Sequence, residues 1–201
     1  ASYLLCEKGN IIVKRYWELD FNNKIIMSED EYAEGILKEL EEAVKLRMIS
    51  DVPLGALLSG GIDSSAVVAI MARLSDKPIK TFSIGFEEEE YSEIKYARIV
   101  AERFKTEHHE FIVKPNIIEI LPELTWYYDE PFADKSAVPS YYVAKEAGRH
   151  LKVVLNGDGG DEAFAGYGRY DFGNNIASLL PSSIKRQLIR QTIKNYFKIS
   201  D

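Results

Sequence analysis

The sequence is short of cysteine, of long apolar stretches and of positive charge, and each shortage closes off a class of function. Cys6 is the single cysteine in 201 residues. No internal disulfide can form, and a reducing, cytoplasmic setting is expected. No apolar run approaches the roughly 18 residues that a membrane-spanning helix needs. No signal-peptide pattern stands at the start, and no membrane role is expected. Lys and Arg number 25 against 32 Asp and Glu, a net charge of −7. The chain therefore has no broad positive field, and nucleic acid is not an expected partner. An anionic ligand would have to be held by local backbone donors, local cations or a metal. There is no internal repeat and no low-complexity tract.

What is present fits a folded chain. Hydrophobic residues make up 46% and charged residues 28%, which argues against disorder. The length suits one main domain of about 150–200 residues with an ample core.

The chain opens with two β-rich runs, Tyr3 to Cys6 and Ile11 to Trp17, around a Gly9-Asn10 turn. They read as a hairpin over residues 1–20. Ser28 stands three residues before Glu31, the spacing of a capping box. Ala33, Ile36, Leu37, Leu40, Ala43 and Val44 then recur at helical spacing, which predicts a helix from Glu29 to about Met48. Beyond it, strand and helix alternate. Strands are expected at Pro53–Leu58, Ile79–Phe86, His108–Val113 and Leu151–Leu155. Helices are expected at Ser64–Leu74, Ser92–Phe104, Pro115 to about Tyr127, and Pro139–Gly148. This is the pattern of βαβ crossovers and a parallel twisted sheet with helices on both faces, an α/β domain over 21–175. A basic amphipathic helix, Ser182 to Ile199, marks a helical tail over 176–201. It reads as an ordinary surface helix rather than a membrane or partner anchor.

The most informative stretch is Leu57-Leu58-Ser59-Gly60-Gly61-Ile62-Asp63-Ser64-Ser65. It ends one strand and opens a helix, the place where open α/β sheets bind ligands. Gly60 and Gly61 allow a sharp turn and a close backbone approach. The free N–H groups and positive end of the next helix suit an anion. Ser59, Ser64 and Ser65 add hydroxyls. The Walker loop is excluded because no lysine follows the glycines. Asp63 stands there instead. A carboxylate beside a phosphate is repulsive unless a divalent cation lies between them, so Asp63 predicts Mg²⁺. The competing reading is a plain glycine turn with Asp63 and Ser64 as helix caps. A dinucleotide-binding domain is disfavoured, since no Gly-x-Gly-x-x-Gly follows the first strand.

The stretch Ser59-Gly60-Gly61-Ile62-Asp63-Ser64 resembles the PP-loop of the ATP pyrophosphatases, whose fold is adenine nucleotide α-hydrolase-like. Three further motifs narrow the resemblance. They are Thr81-Phe82-Ser83-Ile84-Gly85-Phe86, Asp129-Glu130-Pro131-Phe132-Ala133-Asp134, and Leu155-Asn156-Gly157-Asp158-Gly159-Gly160-Asp161-Glu162. With Asp51 to Leu58, they resemble the synthetase domain of glutamine-hydrolysing asparagine synthetases. The resemblance runs from the hairpin to about Tyr170. It implies ATP and Mg²⁺ as cofactors, with aspartate and ammonia derived from glutamine as the other substrates. It implies that the Leu58 backbone and Ile84 border the adenine and that Asn156 and Gly157 touch ATP. Asp158 would be linked to forming the aspartyl-adenylate, with Asp63 also in a catalytic role. Asp161 would share the Mg²⁺ with Asp63; the competing reading of Asp161 and Glu162 is capping of the next helix. Asp134 to Ser136 either approach the pyrophosphate or aspartate side or cap the helix before Pro139.

The resemblance also implies a preceding glutaminase domain with an N-terminal Cys nucleophile. The hairpin resembles the end of that domain, so the chain is expected to be an excised piece, with little or no synthetase activity alone, and Cys6 is not assigned the nucleophile's role. Two alternatives stay open. One is a relative that adenylates another carboxylate, of the β-lactam-forming or peptide-modifying type. The other is a non-catalytic nucleotide-binding module. Oligomeric state is left open, a homodimer being one option. His108 and His109 are adjacent on a strand and point to opposite faces, so they are read as packing residues rather than a metal pair. Glu87 to Glu90 reads as a solvated loop.

Overall fold

A computed structural model of the chain describes residues 1–20, 22–87, 92–134, 136–168 and 170. The expected tail helix and Glu88 to Glu90 lie outside the described residues. The chain divides into two compact units, one up to Leu40 and one from Glu41 onward.

In the first unit, β1 (Ser2–Glu7) and β2 (Asn10–Arg15) pair antiparallel, with Ser2 opposite Arg15 and Glu7 opposite Asn10. The turn is Lys8-Gly9, one residue earlier than the sequence suggests. Both residues have positive φ, 50° and 83°, the primed geometry that matches the twist of two short strands. Asn10 is thereby freed to begin β2. The capping box forms as expected at the start of α1 (Glu29–Arg47). The Ser28 N–H and hydroxyl both donate to Glu31 Oε2 at 2.8 Å, and the Glu31 N–H donates back to Ser28 Oγ at 3.4 Å.

The second unit holds β3 (Leu54–Leu57), α2 (Ile62–Leu74), β4 (Lys80–Phe86), α3 (Ile94–Phe104), β5 (Glu107–Val113), α4 (Ile117–Tyr128), α5 (Ala137–Ala147), β6 (Val153–Leu155) and the one-turn α6 (Gly160–Phe164). The sheet order is β5-β4-β3-β6, and every neighbouring pair is parallel. Register and alternation assign the faces. Leu57, Phe82 and His109 form one row; Ala56, Thr81 and His108 form a row on the other side. On the first face, the fully buried Phe82 packs with Val143 and Ala147 of α5 and with Leu151. On the second, a Cβ at Gly85 would lie 2.4 Å from Ile94 Cδ1, so α3 sits directly on β4 there. α2 packs against β3 and α3. Helices therefore cover both faces. This explains why α2 is apolar nearly all round, with Val68 and Met71 fully buried.

The two histidines separate as strand alternation requires. His108 Nδ1 lies 2.8 Å from Thr81 Oγ1, which lies 2.8 Å from Thr106 Oγ1. His109 stacks on Phe82 at 5.2 Å and on His150 at 4.9 Å, on the opposite face.

Phe82 fills the centre of the first face, so Phe82→Ala should lower unfolding free energy by about 3–5 kcal/mol in denaturant titrations. His108 gives a pH signature. Burial holds its imidazole below the ordinary value, against the pull of Glu110 at 3.4 Å. The folded state thus favours neutral His108. Its contribution is complete above about pH 6.5 and is lost as pH falls toward the folded value. Between about pH 7 and about pH 5, the denaturation midpoint of His108→Gln should fall less than that of the wild type.

Candidate functional site

β3 pairs with β4 only as far as Leu57, opposite Phe82, whereas β4 continues to Phe86. Past Leu57 the chain leaves the sheet and bends through Ser59-Gly60-Gly61 into α2. This early departure opens a cleft of 890 Å³ at the carboxyl end of the sheet, where ligands bind in such folds.

Three glycines set the walls, two by letting backbone meet backbone and one by admitting a carboxylate. Gly60 has φ +87°, and a Cβ there would lie 2.5 Å from Ala97 N. The bend is thus seated on the first turn of α3. A Cβ at Gly157 would lie 2.7 Å from Ser64 N, and one at Gly160 would lie 2.3 Å from Asp63 Cγ. The loop after β6 therefore lies against the first turn of α2 and against the Asp63 carboxylate.

Within the bend, Ser59 Oγ accepts the Gly61 N–H at 3.2 Å and lies 3.0 Å from Ser64 Oγ. Ser64 Oγ accepts the Ser59 N–H and lies within reach of the Gly61 carbonyl, both at 3.3 Å. The helix start itself has no side-chain cap. Asp63 and Ser64 are thus not the caps of the competing reading, and the first-turn N–H groups of α2 keep their capacity for an anion. Neither Asp161 nor Glu162 caps α6, whose N-cap is Gly159 at φ +95°. Asn156 Nδ2 instead donates to Asp158 Oδ2 at 2.7 Å, and Glu162 accepts from the Tyr167 hydroxyl at 2.6 Å.

At the other end of the cleft, the Leu58 side chain is only 1% exposed and belongs to the core. Its N–H donates to the Phe82 carbonyl at 2.9 Å, and its carbonyl accepts from the Ser83 hydroxyl. Strand alternation turns the N–H and C=O of Ile84 toward the side that β3 has vacated.

Leu58, Ser59, Gly61, Asp63, Ser64, Ile84, Asn156, Gly157, Asp158 and Asp161 share this one cleft. Gly60 and Ser65 do not line it. Gly60 is turned onto α3, and the Ser65 hydroxyl is buried in α2 with no hydrogen-bond partner. Asp134 is not a lining residue either; its Oδ1 accepts the Ser136 N–H at 2.8 Å in the turn that leads into α5. The sequence reading missed one wall, formed by Tyr128 and by Pro139, Ser140, Val143 and Ala144 of α5. The i, i+1, i+4, i+5 spacing of those α5 residues is a helix stripe that could have been noticed. Tyr128 carried no signal.

Five acids line the cleft, Asp63, Glu93, Asp158, Asp161 and Glu162, and the described lining residues include no Lys, Arg or His. Among the described residues no three His, Cys, Asp or Glu side chains converge into a metal cage. That donor set fits Mg²⁺, which commonly takes one or two carboxylates and completes its shell with water and phosphate oxygens.

Fold and cleft together define a parallel α/β domain with an acid-lined cleft at the carboxyl end of its sheet. The family follows from comparison with known proteins. The asparagine synthase family model matches residues 35–199, and the chain belongs to that family. A putative asparagine synthetase [glutamine-hydrolyzing] 2 of Methanocaldococcus jannaschii is 48% identical over 163 residues, covering 80% of this chain and 31% of that protein. Asparagine synthetase [glutamine-hydrolyzing] 1 of Bacillus subtilis is 36% identical over 192 residues, covering 94% of this chain and 30% of that protein. The chain thus spans under a third of the length of either relative. A solved structure of NMN synthetase from Francisella tularensis matches with a TM-score of 0.45 and 17% identity, covering 71% of this chain and 59% of that one. Among the described residues no helix is long and apolar enough to cross a membrane.

The glycine contacts make a paired prediction. Gly157→Ala must push backbone against backbone and should cost about 1–3 kcal/mol in urea titrations. Gly159 has open space around it, so Gly159→Ala should cost only the positive-φ penalty of about 1–2 kcal/mol.

Proposed function

We propose that the chain is the ATP-binding part of a cytoplasmic ligase that converts aspartate to asparagine. The observation that carries this reading is the convergence, in one cleft, of an uncapped helix start, the Asp63 carboxylate and the acid-rich loop after β6. Family membership and the printed names of the relatives support the choice of reaction.

In this reading the triphosphate lies along the bend from Ser59 to Ser65, against those of its N–H groups that have no acceptor within the bend. The adenine lies between Leu58 and Ile84, and Asn156 and Gly157 flank the nucleotide. Asp63 and Asp161 would hold Mg²⁺, which supplies charge neutralisation for the departing pyrophosphate. The β-carboxylate oxygen of aspartate attacks the α-phosphorus of ATP. The bond to the bridging oxygen breaks, pyrophosphate leaves, and β-aspartyl-AMP forms. Asp158, on the rim facing the bend, acts at this adenylation step. Negative charge grows on the pyrophosphate oxygens, where the preorganised backbone N–H groups stabilise it most. Ammonia then attacks the acyl carbon, AMP leaves, and a proton is released as asparagine forms. In the longer relatives, named as glutamine-hydrolyzing, a glutaminase domain would supply the ammonia.

The test is exchange of labelled pyrophosphate into ATP, with the full-length protein and Mg²⁺. Aspartate should support exchange; exchange driven by some other carboxylate and not by aspartate would reject the acceptor. Asp63→Asn should weaken Mg²⁺-dependent ATP binding by about tenfold or more, since a single charge-assisted contact exceeds 1.4 kcal/mol. Unchanged affinity would remove Asp63 as a metal ligand.

A further inference from the structure

In a parallel ladder the Leu58 N–H donates to the Phe82 carbonyl, and the next rung would run from the Ile84 N–H to the Leu58 carbonyl. The first rung is present at 2.9 Å. The second is absent: no backbone bond joins Ile84 to Leu58, and the strand pairing ends at Leu57 and Phe82. The Leu58 carbonyl is taken instead by the hydroxyl of Ser83, a side chain only 3% exposed. Both Ser83 and Ile84 line the cleft.

We infer that Ser83 is a positioning residue for base recognition: by holding the Leu58 carbonyl, it stops β3 from zipping one rung further onto β4 and keeps the Ile84 N–H available to the base. This rests on the ATP-binding reading above and extends it. Ile84 then offers a backbone donor and a backbone acceptor on one side of its strand. The edge of adenine carries the complement, an acceptor at N1 and donors at N6. Hypoxanthine carries a donor at N1 and an acceptor at O6, which places donor against donor. Ser83 itself touches no base atom in this scheme. Its hydroxyl decides which group the Ile84 N–H can meet. Without it, a buried carbonyl needs a new partner, because leaving it unmade costs more than a typical hydrogen bond returns. The Ile84 N–H is the nearest donor along the ladder.

The experiment uses the full-length protein, with calorimetric titration of MgATP, MgITP and magnesium tripolyphosphate, and amide hydrogen exchange at Ile84. The wild type should prefer MgATP to MgITP and show rapid exchange at Ile84 when free of nucleotide. Ser83→Ala should lose about tenfold in MgATP affinity, equivalent to 1.4 kcal/mol, with tripolyphosphate affinity unchanged and the Ile84 amide newly protected. Ser83→Thr keeps the hydroxyl and should retain both the MgATP affinity and the rapid exchange. Equal MgATP affinity in wild type and Ser83→Ala would overturn the role of Ser83, as would an Ile84 amide already protected in the wild type. So would a parallel loss of tripolyphosphate, the mark of general damage to the bend. A wild type that binds no MgATP would overturn the underlying reading first, and this one with it.

Discussion

Backbone against backbone at the first turn of α2 is the contact on which the rest depends. Gly60 lies on α3, Gly157 lies on the amide of Ser64, and Gly160 lies against the carboxylate of Asp63. None of these approaches leaves room for a Cβ without displacement. The first turn of α2 is thereby wedged between a helix on one side and the loop after β6 on the other. A helix start held this way cannot swing to find a cap among its neighbours, and none is found. In the proposed reading its first-turn N–H groups are thus held in place by packing before an anion arrives.

The same packing explains the sign of the charges. A helix start and a row of amides carry only partial positive charge. The cleft surrounds them with Asp63, Glu93, Asp158, Asp161 and Glu162. A bare polyphosphate would meet more negative than positive charge among these residues. A magnesium–polyphosphate complex would not, because each carboxylate within reach of the cation becomes an attraction. In the proposed reading the acids would discriminate between a metal-bound and a metal-free ligand, whereas a lysine in the bend would favour both.

Much of this was legible in the sequence. The alternation of apolar runs with helical spacing pointed to four sheet strands running parallel, though not to their order in the sheet, because each period reports a face that must be buried. The glycine bend was legible because three features coincide there: an apolar run that stops, two adjacent glycines, and a helical stretch expected from Ser64, which begins at Ile62. The loop after β6 stood out for its glycines and acids. What escaped were contacts made by position alone. Nothing in the identity of Tyr128, or of the small residues on α5, says that they face a cleft rather than a core; that depends on where β3 ends relative to β4. The turn of the hairpin moved by one residue because Lys8 adopts a left-handed conformation that its side chain does not advertise. Gly60 was expected beside the ligand for its freedom of φ. Its positive φ of 87° is there, but the space it yields is used by α3.

The difference in length between β3 and β4 links the two ends of the cleft. Because β3 departs at Leu57, its chain is free to bend toward α2, which opens the end of the cleft proposed for the phosphates. Because β4 continues to Phe86 beyond its pairing with β3, its backbone edge borders the end proposed for the base. Adding the one missing rung would draw the Leu58 carbonyl to Ile84 and close the base end, while the bend that follows Leu58 would keep its place. The Ser83 hydroxyl sits at the point where this choice is made, bonded across the strands to the last carbonyl before the bend. In the proposed reading, base and phosphate recognition are therefore not separate inventions on this fold. They would be two consequences of stopping one strand early, and a change that restores the missing rung would act on the base end alone.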